Sequence, residues 1–180
     1  MRISTRARQS SVKNQYDRPT CVAFAATALH EYIRQAVSGP GPTSEIDLSE
    51  EFLHYHCKKH DNLASNSVGT TLTAAAVSLA VEGQSIEELC PYKPHSSSPH
   101  SSRPTKLALA DGKLRLLPGL RRLPQTLGSI EASLSSDRPV IAVVDWYSNA
   151  YLVPSGVIEL PGPHDRFLGR HAVLNCGIRG

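Results

Sequence analysis

Residues 12 to 25 read Val12-Lys13-Asn14-Gln15-Tyr16-Asp17-Arg18-Pro19-Thr20-Cys21-Val22-Ala23-Phe24-Ala25. The chain is polar and irregular up to Thr20. Beyond it Val22, Ala25, Ala26, Leu29, Ile33 and Ala36 recur at helical spacing. The pattern predicts a helix from Cys21 to Val37, with Thr20 as N-cap and Ser38-Gly39-Pro40-Gly41-Pro42 as the stop. A cysteine therefore stands in the first turn of a helix. Unpaired backbone N–H groups and the positive end of the helix dipole favour a thiolate there. The Gln15 amide on the incoming loop is placed to donate to an oxyanion alongside the Cys21 backbone N–H. A base is still needed, and His171 stands far downstream, just before an apolar run. Cys and His distant in sequence that meet in space are the usual layout of thiol hydrolases. Taken singly, Cys21 reads as a small buried helix residue, His171 as a structural imidazole and Gln15 as a loop amide. Their combination favours the chemical reading.

Working outward, a second helix should start near Asp47 to Ser49, where Asp47 and Glu50 have capping-box spacing, and run out near His60. A third spans Thr71 to Glu82 and ends at Gly83. Residues 94 to 105 (PHSSSPHSSRPT) form a low-complexity loop. Residues 106 to 124 hold short apolar stretches among arginines and suggest a strand or two. Thr126 to Leu134 reads as a short amphipathic helix. Pro139 to Asp145 reads as a buried strand, and Gly156 to Leu160 and Ala172 to Ile178 as two more. Helices first and strands after imply an α+β protein. A helical lobe over residues 1–105 and a β lobe over 106–180 would form one domain with the site in the cleft between them.

Composition sets the outer bounds. The chain has 180 residues, 40% of them hydrophobic, enough for one domain with a real core. A net charge of +3 is too slight a bias to imply nucleic acid. No apolar run is long enough for a membrane span, and no apolar segment follows Arg2, Arg6 and Arg8 as a secretory signal would require. Four cysteines are too few for a disulfide scaffold. Reduced thiols in a cytoplasm are expected, or export without a classical signal. His54, His56, Cys57 and His60 share one helix, with His56 and His60 four apart. There is no second cluster at ligand spacing, so no metal and no cofactor is expected. Cys90 and Cys176 read as structural thiols, and Arg115, Arg121 and Arg122 as solvated surface. Phosphate-loop, dinucleotide and metalloprotease motifs are absent.

The segment around Cys21 resembles the papain family of cysteine proteases. That family carries Val-Lys-(Asn/Asp)-Gln, then the nucleophilic Cys six residues after the Gln, then Ala-Phe-(Ser/Ala). Here Cys21 is the sixth residue after Gln15, and Ala23-Phe24-Ala25 follows. The similarity continues in order through Leu48-Ser49-Glu50-Glu51-Phe52-Leu53, Gly69, an Ala-rich helix with Gly83, and Pro91-Tyr92. It runs on through Pro139-Val140, Ser155-Gly156-Val157 and His171-Ala172-Val173, covering about residues 10 to 178. The resemblance implies a papain-like two-lobed fold and a cysteine peptidase that hydrolyses peptide bonds. Cys21 would be the nucleophile, His171 the general acid/base and Gln15 the oxyanion donor. Val143, Ala172 and Gly69 would contact substrate. The implied preference is an apolar or aromatic residue one position before the residue at the cut. The expected partner is a peptide or protein substrate, with no nucleic acid and no membrane.

This sequence departs from the family at two places. Arg18 stands where secreted members have a disulfide cysteine, in keeping with a reducing compartment. The family orients its His with an Asn from an Asn-Ser-Trp motif beyond it, and the nine residues after His171 carry none. Asn175 is four residues along a strand, about 13 Å away, out of reach of the imidazole. Asp145, Asn149 and Asp165 remain as stand-ins. The expectation is a chain incomplete at its C-terminus. The alternatives are a Cys–His dyad, a catalytically impaired domain that binds peptides in the cleft, or a related thiol acyl-transferase or deamidase.

Overall fold

The computed structural model describes residues 3–38, 46–64, 66–94, 101–151 and 157–178. Three helices come first: α1 (Cys21–Ser38), α2 (Glu50–His60) and α3 (Leu72–Val81). They form one packed layer through small side chains. Val22, Ala23, Ala25 and Ala26 of α1 meet Leu53 and Cys57 of α2 and Ala74, Ala75 and Leu79 of α3. Alanine costs no side-chain entropy in a helix and lets neighbouring backbones approach. Phe52, Leu53 and Leu79 are wholly buried, and each contributes about 2 kcal/mol of apolar transfer. Cys57 lies in the same core, and burial pushes its thiol up to about 12.

The helix starts follow local chemistry. Ser49, not Asp47, caps α2: its Oγ accepts from Phe52 N at 3.0 Å. Asp47 and Glu50 are both bonded to Lys13 instead of forming a capping box. Thr71 caps α3 by accepting from Ala74 N at 3.1 Å. Gly83 ends it, at φ 71°, with its N–H on Ser78 O at 3.0 Å. A Cβ there would stand 2.1 Å from Gly112 O. The expected stop of α1 at residues 39–42 lies outside the described residues.

Residues 106–124 correct the expectation of strands. Lys106–Gly112 is a helix, α4, capped by Thr105 Oγ1 on Ala108 N at 3.2 Å. Gly112 packs under the Phe52 ring, where a Cβ would come within 2.6 Å of it. The rest is irregular, tied to α3 by Leu117 N on Leu79 O at 2.9 Å and to α4 by Arg115 N on Gly112 O at 2.9 Å. Its alternating leucines look like a strand, but among the described residues no neighbouring strand pairs with them. The short helix expected at 126–134 is α5 (Leu127–Ser135), with Thr126 as its cap. Of the 94–105 loop, residues 95–100 lie outside the described residues.

The β part consists of two antiparallel pairs among the described residues. β2 (Val140–Tyr147) pairs with β3 (Phe167–Asn175), with Val143 opposite Ala172 and Val144 opposite His171. β1 (Ile3–Ser4) pairs with β4 (Gly177–Ile178), and Thr5 N donates to Cys176 O at 2.7 Å. β2 is not the buried strand that its sequence suggests: Val143, Val144 and Asp145 are exposed. Ile141 and Ala172 pack against the helical core, whereas Val143 and Asp145 on the same face are exposed. Residues 157–160 are exposed and form no strand, and 156 lies outside the described residues. The architecture is α+β, with α1 lying between the other helices and the β2–β3 pair.

Candidate active site

The loop that carries Gln15 is pinned at both ends. On one side Lys13 Nζ reaches into the α1–α2 junction. It lies 3.0 Å from Glu31 Oε1, 2.6 Å from Asp47 Oδ1 and 3.0 Å from Glu50 Oε1, and donates to Leu48 O at 3.1 Å. Burial would lower the Lys13 pKa, but Glu50 and Glu31 overcome it and hold the ammonium charged. Three carboxylates share this one cation. Glu50 is accordingly pushed up to about 7, chiefly by burial, against the pull of Lys13. At the turn itself Asn14 Oδ1 accepts from Tyr16 N at 2.7 Å, a local side-chain bond that helps Tyr16 hold φ 52°.

Gln15 Nε2 donates to Arg18 O at 3.0 Å. An amide NH₂ has two donors, so one remains for a further acceptor. Tyr92 Oη donates to Gln15 O at 2.8 Å and lies 2.9 Å from Thr20 Oγ1.

Cys21 opens α1, is partly exposed, and packs against the core beside Val22. Thr20 is wholly buried, and its carbonyl accepts from Phe24 N at 3.1 Å. Its hydroxyl, expected to cap the helix, is engaged with Tyr92 Oη and with Arg18 O at 3.4 Å. Among the described residues it caps no first-turn N–H. The donors at the start of α1 are thus left for an anion beside Cys21.

His171 lies on β3 on the same ribbon face as Trp146, by strand alternation and register. The two rings pack with centroids 4.6 Å apart. Tyr151 meets the Trp146 ring edge-on at 6.2 Å. Burial lowers the His171 pKa below its ordinary value. The three candidate orienting residues are all committed elsewhere. Asp145 faces Arg170 at 3.6 Å, and Asn149 Nδ2 donates to Glu159 O at 3.0 Å. Asp165 accepts from Ser148 Oγ at 3.2 Å and Gly162 N at 2.8 Å, and Asn175 sits opposite Val140. Among the described residues no hydrogen bond reaches the imidazole. Trp146 is the contact that the sequence reading missed. No sequence signal marks it, because a strand residue diagonal to His171 is found only once the register is known.

Val143 and Ala172 face each other across the ribbon, with Val143 exposed and Ala172 in the core cluster that Cys21 joins. Gly69 lies apart, before α3, where its carbonyl accepts from Lys58 Nζ at 2.9 Å. The helical histidines do not converge. His56 is buried between Phe52 and Tyr55, and among the described residues no group of three His, Cys, Asp or Glu side chains could hold a metal ion. No helix of the described residues is long and apolar enough to cross a membrane.

Comparison with known proteins places this arrangement. Solved structures superpose over 98% of the chain. Xylellain, a cysteine protease from Xylella fastidiosa, gives a TM-score of 0.79 at 20% identity, with 69% of its own chain covered. The digestive procathepsin L 3 of Tenebrio molitor larval midgut gives 0.74 at 19%, with 54% of that chain covered. The bromelain protease from Ananas comosus, in complex with the E64 inhibitor, gives 0.69 at 24%, with 74% covered. At these identities the likeness establishes a papain-like fold. Comparison with curated proteins gives no match. The model of the papain family cysteine proteases matches residues 2–178, nearly the whole chain, and the chain belongs to that family.

Proposed function

We propose that this protein is a cysteine endopeptidase in which Cys21 attacks the scissile carbonyl. His171 takes the thiol proton and returns it to the leaving amine, and water then releases the acyl-enzyme. Gln15 Nε2 and the Cys21 backbone N–H hold the oxyanion. The observation that carries this reading is the junction of α1 with β3: Cys21 packs against the core cluster that contains Ala172. His171 is the preceding residue of β3, its side chain on the Trp146 face of the ribbon by strand alternation. The uncapped first turn and the spare Gln15 donor add to it. Substrate would lie along Val143 and Ala172, with Gly69 contributing from the helical lobe. The Val143–Ala172 pairing suits an apolar or aromatic side chain one position before the residue at the cut. The four free thiols suit work in a reducing compartment, and no cofactor is required.

The test is the pH dependence of alkylation at Cys21, read by peptide mass mapping, in the unaltered chain and in His171→Ala. Fast alkylation well below the free-thiol pKa, lost in His171→Ala, is the expected result. Cys21→Ser should abolish cleavage of a fluorogenic peptide. Slow alkylation unaffected by His171→Ala would favour the second reading, a peptide-binding domain with an impaired site. That reading rests on the lack of a hydrogen bond to His171 among the described residues. Product masses separate hydrolysis from deamidation: a new N-terminus marks the first, a Gln converted to Glu the second.

A further inference from the structure

The turn from Gln15 to Cys21 carries both proposed oxyanion donors, and its shape rests on two side chains with no part in the chemistry. The first is Arg18. Its carbonyl accepts from Gln15 Nε2 at 3.0 Å, from Thr20 N at 2.8 Å and from Thr20 Oγ1 at 3.4 Å. Its side chain is buried and immobilised. The guanidinium lies 2.5 Å from Glu51 Oε2 and donates to Lys93 O at 3.1 Å and Ser101 Oγ at 3.2 Å. It also stacks on the Tyr92 ring, 4.9 Å from the centroid. Glu51 is as deeply buried as Arg18. The second is Tyr92, whose single hydroxyl touches both ends of the turn, Gln15 O at 2.8 Å and Thr20 Oγ1 at 2.9 Å. Its ring is braced edge-on by Phe24, at 4.9 Å.

We infer that Arg18 and Tyr92 are positioning residues that clamp this turn, Arg18 by orienting the Gln15 amide through its carbonyl and Tyr92 by tying Gln15 to Thr20. The inference rests on the oxyanion role proposed for Gln15. The physical argument is one of geometry. A donor must sit within hydrogen-bond distance of the oxygen as charge develops. A displacement of about 1 Å costs on the order of a hundredfold in rate. A seven-residue polar turn does not hold that tolerance unaided. Anchored by a buried ion pair on one side and a braced phenol on the other, it does. The bond from Gln15 Nε2 to Arg18 O uses one amide proton and aims the other.

The test compares Tyr92→Phe, Gln15→Ala and the double variant on a fluorogenic peptide, with iodoacetamide alkylation of Cys21 measured alongside. Alkylation is a displacement at carbon that forms no oxyanion, so it reports on the thiolate alone. Tyr92→Phe should lose about tenfold in kcat with KM and alkylation rate each within about twofold of the unaltered chain. Added to Gln15→Ala, it should cost less than about twofold more, because its effect runs through Gln15. Arg18→Lys, which keeps the charge but loses the planar fork, should show the same pattern and guards against a fold defect in Tyr92→Phe. Equal losses with and without Gln15, or alkylation falling together with kcat, would overturn the clamp. If Gln15→Ala by itself leaves kcat unchanged, the oxyanion reading beneath it fails. That outcome is seen in the single variant alone, and it takes the clamp down with it.

Discussion

His171 has a neighbour but, among the described residues, no hydrogen bond, so its orientation depends on the Trp146 ring at 4.6 Å. A stacked ring restricts an imidazole by exclusion rather than by a directed bond. Trp146→Ala should therefore cost about tenfold in kcat, through imidazole disorder. It should also relieve the burial that lowers His171, so the pKa should rise toward its ordinary value of about 6.5. An NMR titration of the His171 ring checks the second half independently of activity. Cys21, Gln15 and His171 could be singled out from the sequence because each carries a residue-type argument. Trp146 could not, since its partner is defined by a strand register. Nor could the fate of Asp145, Asn149 and Asp165, which are committed to other partners only in the folded chain.

The ends of the helices are settled locally. Thr71 accepts from Ala74 N, so Thr71→Ala should destabilise by about 1 kcal/mol, read as a shift in urea midpoint at constant m. Gly83 is held by two separate demands, a φ of 71° and a Cβ position 2.1 Å from Gly112 O. Gly83→Ala must move the α3–α4 contact and should cost more than the ~1 kcal/mol of an ordinary glycine replacement in the left-handed region. The start of α3 near Thr71 and its stop at Gly83 were legible as spacing, while the capping role of Thr71 came from the structure. The capping box at Asp47 and Glu50 was a false lead, because Lys13, 34 positions before Asp47, takes both carboxylates. Residues 106–112 misled for a related reason. Alternating leucines suit either a strand or a short helix, and Thr105 together with the Phe52 ring selects the helix.

At the scale of the whole molecule, two buried histidines govern the response to acid. Burial lowers both His30 and His56 to about 4, partly opposed in His30 by its bond to Gln84 and in His56 by Glu82. The unfolded chain binds those protons near pH 6.5, so between 6.5 and 4 it holds more of them than the native state. Stability is fully present above 6.5 and is lost as pH falls through that window, at about 1.4 kcal/mol per pH unit for each histidine. Glu50, raised to about 7, acts in the opposite sense between 4.5 and 7. Of these three groups the two histidines outweigh the carboxylate by about 1.4 kcal/mol per unit from pH 4.5 to 6.5, while His171, lowered by burial, adds to the slope and Glu87, raised by burial, takes from it. Urea midpoints at pH 4.5, 5.5 and 6.5 test this slope. His56→Leu should flatten it and raise stability more at pH 5 than at pH 7. Both ring nitrogens of His56 lack a partner among the described residues, so nothing bonded is lost.

Periodicity and capping residues were enough for the α+β class and for four of the helices, while the family was legible through the resemblance of its motifs, from Lys13–Gln15 and Cys21–Ala25 to His171–Val173. Those features depend on neighbours a few positions apart, or on motifs with their own chemistry. The exposure of β2, the helix at 106–112, the Trp146 contact and the Arg18–Tyr92 clamp emerged only from the folded chain. Each depends on a partner far away in sequence: Arg18 meets Glu51 and Tyr92, and Val143 meets Ala172. A residue's own chemistry says that it needs a partner, and only the packing of one element on another decides which partner it finds.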